Sequence, residues 1–325
     1  MLANRVDLPL PLTRLAPWYP PQLGVAGAGA DRGLRLHCTG NVFYVDPNFP
    51  GAHDRRDGTE PDAPLATVQA ALDRCRPYAG DMVLVMASNA GPHAQAAWGR
   101  LALVTETVTI STPGVRLVGA APFSAIGVYW RVPLGGWAIT VAAPEVLVER
   151  FAFLPERAPG EEEDPANGIM TSGSAVEGLT LRHCYFGADF GTALQLGAAS
   201  DSEVYGCLFR GAQQAIFSED DVLSCRILEN WFYDCAAAVV CSAASGFLVA
   251  GNWFYSAATA AGEAAAGSMV NFGTGGGNAV FGNWFSCTGG AGGNYHTANV
   301  PGTGDAWAGN FCVDGLAGTV TPPGD

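Results

Sequence analysis

The sequence predicts an all-β solenoid, a parallel β-helix, and three observations carry that prediction. A short segment recurs along the chain, its apolar positions alternate as in a strand, and glycine is abundant, at 43 of 325 residues. The segment is clearest in "CRILENWF" (225–232), "FLVAGNWF" (247–254) and "NAVFGNWF" (278–285). With the final Phe as anchor, "VLVERFAF" (146–153), "LTLRHCYF" (179–186), "SEVYGCLF" (202–209) and "DAWAGNFC" (305–312) align to it, and "VRLVG" (115–119) matches its first half. Successive segments start 31, 33, 23, 23, 22, 31 and 27 residues apart. A shortest spacing of 22 or 23 residues with occasional longer gaps is the pattern of a solenoid carrying loop insertions.

Within each segment the first and third positions are usually apolar, as at Val146/Val148, Leu179/Leu181 and Phe247/Val249, which is strand alternation with one face buried. A second apolar stretch follows most anchors: "ALQL" (193–196), "AIF" (215–217), "AVV" (238–240) and "SMVNF" (268–272). Two or three short strands in so short a repeat leave no room for a helix pair and fit one rung of a parallel coil. The position two before the anchor reads Phe151, Cys184, Cys207, Asn230, Asn252, Asn283, Asn310. In a coil these side chains stack, and Asn amides can hydrogen-bond one another and the backbone groups of a turn. Small Cys can fill the same slot. The anchors Phe186, Phe209, Phe232, Phe254 and Phe285, preceded by Phe153, would form an interior aromatic ladder. Alternation turns Trp231, Trp253 and Trp284 outward, so the motif reads as core plus one external contact stripe, with ligand binding as the competing reading.

Upstream, "FYVDPNFPGAHDRRDGTEPDAPLATVQAALDRCRPYAGDMVLV" (43–85) predicts a strand, a turn-rich loop and a helix over 66–76 with Thr67 near its start. Val68, Ala71, Leu72 and Cys75 share one face of that helix, which would cap the apolar N-terminal end of the coil. Residues 1–40 differ, with "LPLPLTRLAPWYPPQLG" followed by "GVAGAGADRG". Proline at this density precludes a regular helix or central strand, yet the stretch is too apolar for a solvated linker. An extended partner-binding arm using Leu8, Leu10, Leu12, Leu15, Trp18 and Tyr19 fits both facts, and so does a tail folded back on its own coil. The division expected is an arm over 1–40, strand and cap helix over 41–80, coil over 81–315 and a tail over 316–325.

Composition excludes several classes. A net charge of −14 with no Lys and 16 Arg argues against a general nucleic-acid surface. No apolar run is long enough to suggest a membrane helix, and "MLANRVDLPLPL" lacks the basic-then-apolar order of a signal peptide. Nine cysteines without a CxxC pair read as reduced, mostly buried thiols. The acidic run "EEED" (161–164) reads as a solvated loop.

Taken together, "FYVDPN…DGTEPDAPLATVQAALD…GDMVLVMAS", "TVTISTPGVRLVGAAP" and the serial "GLTLRHCYF"-type rungs resemble right-handed parallel β-helix proteins of bacteriophage virions, a pectate-lyase-like and tailspike-like solenoid family. The likeness covers about residues 42–312. It implies a right-handed coil and assembly, typically as a homotrimer. The partner expected is the major capsid protein or another virion protein, and charge and the lack of a long apolar run argue against nucleic acid and membrane. Such family members decorate capsids or form fibres and spikes, so the resemblance does not choose between these places. It also implies location in the virion after assembly in the host cytoplasm. The same opening occurs in polysaccharide-cleaving relatives, so a glycan-cleaving role follows from it as well.

Chemistry on this fold would need paired carboxylates for glycoside hydrolysis, or an acid cluster holding calcium beside a basic residue. The acidic candidates are Asp201 and Glu203, with Glu219, Asp220 and Asp221 in "SEDD" (218–221), read as a turn approaching Asp201 from the next rung; Arg210 and Arg226 are the nearby bases. Turn carboxylates on a coil are more often simply solvated. His37, His53, His93, His183 and His296 are scattered singly, and "GTGGGN" (273–278) is neither a dinucleotide fingerprint nor a phosphate loop. The sequence therefore points to no catalytic residues, no metal and no cofactor, and favours a non-enzymatic virion role. The leading expectation is a capsid decoration or cement protein anchored through its arm. The alternative is a tailspike or fibre receptor-binding protein with lyase or glycosidase activity.

Overall fold

The computed structural model describes residues 38–86, 102–120, 128–156, 165–173, 176–256, 269–287 and 304–312. Among these the chain forms three sheets whose strands all run parallel, as a right-handed parallel β-helix. The first sheet has ten strands, from Val42–Val45 to Ala306–Ala308; the second has nine, from Ala102–Val104 to Phe311–Cys312; the third has seven, from Val108–Ile110 to Val270–Asn271. One full rung runs through Thr180–Arg182, Tyr185–Phe186 and Thr192–Gln195 before the chain returns beside itself at Glu203–Tyr205. Register is kept residue for residue: Leu181 pairs with Val204, Val204 with Ile227, and Ile227 with Val249. No helix among the described residues is long and apolar enough to cross a membrane.

The interior is a set of columns. Phe153, Phe186, Phe209, Phe232, Phe254 and Phe285 are buried, with successive ring centroids 4.9, 5.0, 5.1, 4.9 and 4.7 Å apart. The strand spacing sets this interval, and side chains of one type at one register position stack because each presents the same face to the next.

The corner between the first and second sheets accounts for four of the glycines. Arg150, His183, Gly206, Glu229, Gly251, Gly282 and Gly309 occupy equivalent corner positions, all with φ between 50° and 67°. This left-handed conformation turns the chain within one residue and favours glycine. From Arg150 to Gly282 each corner N–H then donates to a carbonyl of the next rung, as from His183 to Tyr205 (3.0 Å) and from Glu229 to Ala250 (3.0 Å).

Immediately inside the corner lies the polar ladder. Asn230, Asn252, Asn283 and Asn310 are buried. The Oδ1 of each accepts the backbone N–H of the preceding rung: from Cys207 (2.9 Å), Asn230 (2.8 Å), Asn252 (2.9 Å) and Asn283 (3.0 Å) in turn. Each Nδ2 donates to a carbonyl further back, at Val204, Ile227, Val249 and Val280. The ladder thus pairs the N–H groups of the residues just after the corner, which strand pairing leaves over. Cys184 and Cys207 continue the column, with the Cys184 N–H directed at the Cys207 sulfur (3.5 Å). A second, shorter ladder runs through Asn278, whose Oδ1 accepts from Phe247 N (2.9 Å), to Asp305. Cys38, Cys75, Cys184, Cys207, Cys225, Cys235 and Cys241 are free thiols, and all of these but Cys38 are buried.

At the N-terminal end, Val42–Val45 pairs in register with Met82–Val85, so the first rung begins before the helix. The helix α1 spans only Val68–Leu72, shorter than the 66–76 expected. Its start is fixed by Thr67, whose Oγ1 accepts from Ala70 N, and its end by a tightening to three-residue bonds from Arg74 and Cys75 back to Ala71 and Leu72. Val68, Ala71 and Leu72 pack into the interior. The Gln69 side chain donates to Thr109 O (3.2 Å) and accepts from Thr109 N (2.8 Å), completing the open edge of the third sheet. The Glu106 carboxylate accepts the N–H groups of Val68 (2.7 Å) and Gln69 (3.1 Å) at the helix start.

Candidate functional site

Two outward faces carry chemistry. On the second sheet, register joins Leu103, Tyr129, Ala152, Tyr185, Leu208, Trp231, Trp253, Trp284 and Phe311 into one column pointing away from the coil. Every member is apolar or aromatic. Towards the N-terminal end, Tyr129, Tyr185 and Leu208 pack around Ala152. Towards the other end the rings form a row: Trp231 is tilted 35° against Trp253 at 5.0 Å, Trp253 stacks on Trp284 at 5.8 Å, and Trp284 is tilted 31° against Phe311 at 5.5 Å. Trp284 is 44% and Phe311 46% exposed. A parallel column two residues on stacks Tyr233 on Tyr255 at 4.7 Å, with the Arg210 guanidinium 5.8 Å from the Tyr233 ring. The sequence marked Trp231, Trp253 and Trp284, but the stripe is longer than the Trp motif. Phe311 in "DAWAGNFC" and Leu208 in "SEVYGCLF" occupy the same slot, and that shared offset is the signal for them.

Ring orientation limits what the stripe can bind. Stacked on one another at about one rung spacing, the indoles turn their faces to their neighbours and their edges to solvent. A sugar packs on an aromatic face; a row of edges presents instead a narrow apolar ridge.

The second face is the outer side of the first sheet, where the register builds a charge ladder. Glu203 sits between Arg182 (2.6 Å) and Arg226 (3.0 Å) from the neighbouring rungs. Glu149 bonds Arg150 (3.2 Å) and lies 3.5 Å from His183 Nδ1. Tyr205 donates its hydroxyl to Glu229 (3.1 Å). Burial works to raise the Glu149 carboxyl, but the His183 hydrogen bond and the charges of Arg150, His183 and Arg182 outweigh it, so its pKa lies below the ordinary value. Burial, then the Glu229 carboxylate beside it, raises the Tyr205 phenol. Beside this ladder lies a groove of about 460 Å³ lined in part by Tyr78, Arg116, Glu145, Thr180 and Arg182.

The acidic candidates do not converge. Glu203 belongs to the charge ladder, whereas Asp201 is a left-handed corner residue two positions earlier (φ 54°). "SEDD" (218–221) is not a turn but part of the ten-residue strand Gln214–Leu223, at a register shift between Ser218 and Asp221. Ser218 Oγ holds that bulge by bonding Asp220 O (3.0 Å) and Asp220 N (3.2 Å). Alternation was broken there by the bulge, which is why three consecutive acids are tolerated in a strand. Among the described residues no three His, Cys, Asp or Glu side chains gather as a metal site would require. His183 is itself a corner residue (φ 50°), so its ring reaches Glu149 on the outer face while Cys184, the next residue, is buried in the coil. The arm residues Leu8, Leu10, Leu12, Leu15, Trp18 and Tyr19 lie outside the described residues.

No protein-family model matches the sequence, and no curated protein does. Among solved structures the chain is similar to a DFA-IIIase from Arthrobacter chlorophenolicus A6 without its lid, at 13% identity and a TM-score of 0.50 over 89% of this chain and 67% of that one. It is also similar to the pectin methylesterase from Aspergillus niger (13% identity, TM-score 0.43, 88% and 92% covered) and to the Dettilon tailspike protein (14%, 0.36, 84% and 60%). At such identities likeness extends to the fold alone, and the fold it shows is the one the strand register defines, a right-handed parallel β-helix.

Proposed function

We propose that this chain is a structural protein of a bacteriophage virion, a rigid coil that docks to neighbouring protein through the aromatic stripe of its second sheet, most simply as a capsid decoration. The observation that carries this reading is the continuous outward column ending in Trp253, Trp284 and Phe311, an apolar ridge that water would not otherwise favour. The edge-on indoles suit a protein contact better than a sugar. The best-defined carboxylates of the outer surface, Glu149 and Glu203, are engaged by Arg and His neighbours and are poorly placed to act as a free acid and base. The virion setting rests on the sequence resemblance.

Purified phage particles imaged by cryo-EM test this. Density for the coil on the particle, with its second sheet against a neighbour, supports the reading; absence of the chain from purified particles overturns it. The groove beside Arg116, Thr180 and Arg182 favours one alternative, a tailspike-like glycan-binding role. Release of reducing ends from host polysaccharide by the purified chain would select that alternative.

A further inference from the structure

We propose that the aromatic stripe is the receptor for the proline-rich segment Leu8–Tyr19 of a second copy of this chain, so that copies are linked arm to coil. The proposal rests on the structural-protein reading above and names the partner of the same surface.

Size decides between a globular partner and an extended one. Nine stripe positions at one strand spacing of about 4.8 Å make a ridge about 38 Å long. It is one to two side chains wide, roughly 10 Å, which gives on the order of 400 Å². A stable globular contact buries about 800 Å² per partner, so the ridge alone is too narrow for one. An extended peptide needs no more width than this.

The segment has the matching length and chemistry. "LPLPLTRLAPWY" holds four Leu, three Pro, Trp18 and Tyr19. Proline favours the polyproline conformation, which rises about 3.1 Å per residue, so these twelve residues reach about 37 Å. Such a chain carries no strand-pairing requirement, which suits a sheet face whose backbone groups are already paired. Proline-rich segments dock on rows of aromatic side chains by the same logic.

Among the described residues Trp284 and Phe311 are nearly half exposed and offer an apolar seat, and the mixed-copy crosslinks below decide which copy's arm fills it. Residues 20–37 supply the tether, with a reach of about 60 Å when extended. A competing seat exists on the first sheet, where Met82, Leu84 and Val118 face outward yet are buried, with Cys38 packed against them. That patch spans three strands, about 10 Å along the coil axis, against about 38 Å for the stripe.

The test uses the full-length purified chain without particles. Leu12 is replaced by the photo-crosslinking benzoylphenylalanine, and light and isotopically heavy copies are mixed before irradiation. Crosslinks between copies to peptides carrying Trp253 or Trp284 are expected. The double substitution Trp253→Glu/Trp284→Glu should reduce them at least about tenfold and weaken self-association in sedimentation, with circular dichroism unchanged. If that variant misfolds, Leu10→Asp/Leu12→Asp gives the same sedimentation readout from the arm side. Crosslinks confined to one copy, crosslinks to the Met82 and Val118 face, or self-association indifferent to the arm substitutions would each overturn the proposal. Because no particle is involved, such failure leaves the virion reading standing, while absence from particles would leave the arm-to-coil link standing.

Discussion

At the scale of single residues, the Asn ladder concentrates the largest predictable effects. Asn252 Oδ1 accepts from Asn230 N and Nδ2, and its own Nδ2 donates to Ile227 O, Ala250 O and Asn283 Oδ1. Asn252→Ala leaves several buried groups without partners, and each unpaired group costs about 1–3 kcal/mol. A loss of about 4 kcal/mol is expected in urea denaturation, with no change in secondary structure before the transition. The reverse substitution is informative too. Cys207 fills an Asn slot with a weak acceptor, so Cys207→Asn should extend the ladder and stabilise by about 1 kcal/mol. Acid behaviour is set elsewhere. Hydrogen bonds from the Arg76 side chain, chiefly, and from the Arg76 and Asn41 N–H groups hold the Asp81 carboxyl down at about 2. A carboxyl lowered on folding contributes stability that is complete above its unfolded value near 4 and is lost as pH falls through about 2. Asp81→Asn should therefore flatten the acid limb of stability between about pH 4 and 2, measured as the urea midpoint against pH. Burial likewise pushes Cys235 and Cys241 up to about 12, so both should resist thiol reagents at pH 8 until the coil is unfolded.

At the scale of elements, the N-terminal end shows how a solenoid closes an open edge. The Gln69 amide bonds both backbone groups of Thr109, acting as a one-residue strand beside Val108–Ile110. Gln69→Ala should speed hydrogen exchange of the Thr109 amide by at least about tenfold while the amides of the third sheet's central strands stay protected. The columns parallel to the axis were legible because one repeated motif displays them: Asn230, Asn252 and Asn283 hold one offset from the anchor, and Phe232, Phe254 and Phe285 are the anchor. The charge ladder was not legible, since Glu149, Arg182, Glu203 and Arg226 become neighbours only through register, and "SEDD" looked like a turn because a bulge leaves no periodic trace. The short ladder from Asn278 to Asp305 was missed for a similar reason: three polar residues, Ser202, Asn278 and Asp305, at one offset shared with Val146, Leu179, Cys225 and Phe247 make a thin signal.

At the scale of the molecule, the coil behaves as a one-dimensional stack in which each rung contacts only the rungs beside it. Strand pairing bears this out: each strand of the second sheet pairs with the strand one rung before it and the one after it. The same core loss should then have different reach according to position. Phe209 and Phe285 are both fully buried anchors, and truncating either to Ala removes about 3–5 kcal/mol of packing. Phe209 has stacked anchors on both sides at 5.0 and 5.1 Å, in the middle of the ladder. Phe285 has one at 4.7 Å and lies one strand from Phe311–Cys312, the last described strand of its sheet. An end rung can fray without breaking other interfaces, whereas a central rung cannot open without parting the stack. Phe285→Ala should lower hydrogen-exchange protection in Ala279–Phe281 and the strands after it while the rungs before Leu228 keep theirs. Phe209→Ala should lower protection on both sides of the coil and shift the global midpoint by the full cost. Equal loss of protection along the whole coil in both variants would show instead that the molecule unfolds as one cooperative block, and that its rungs are coupled beyond nearest neighbours.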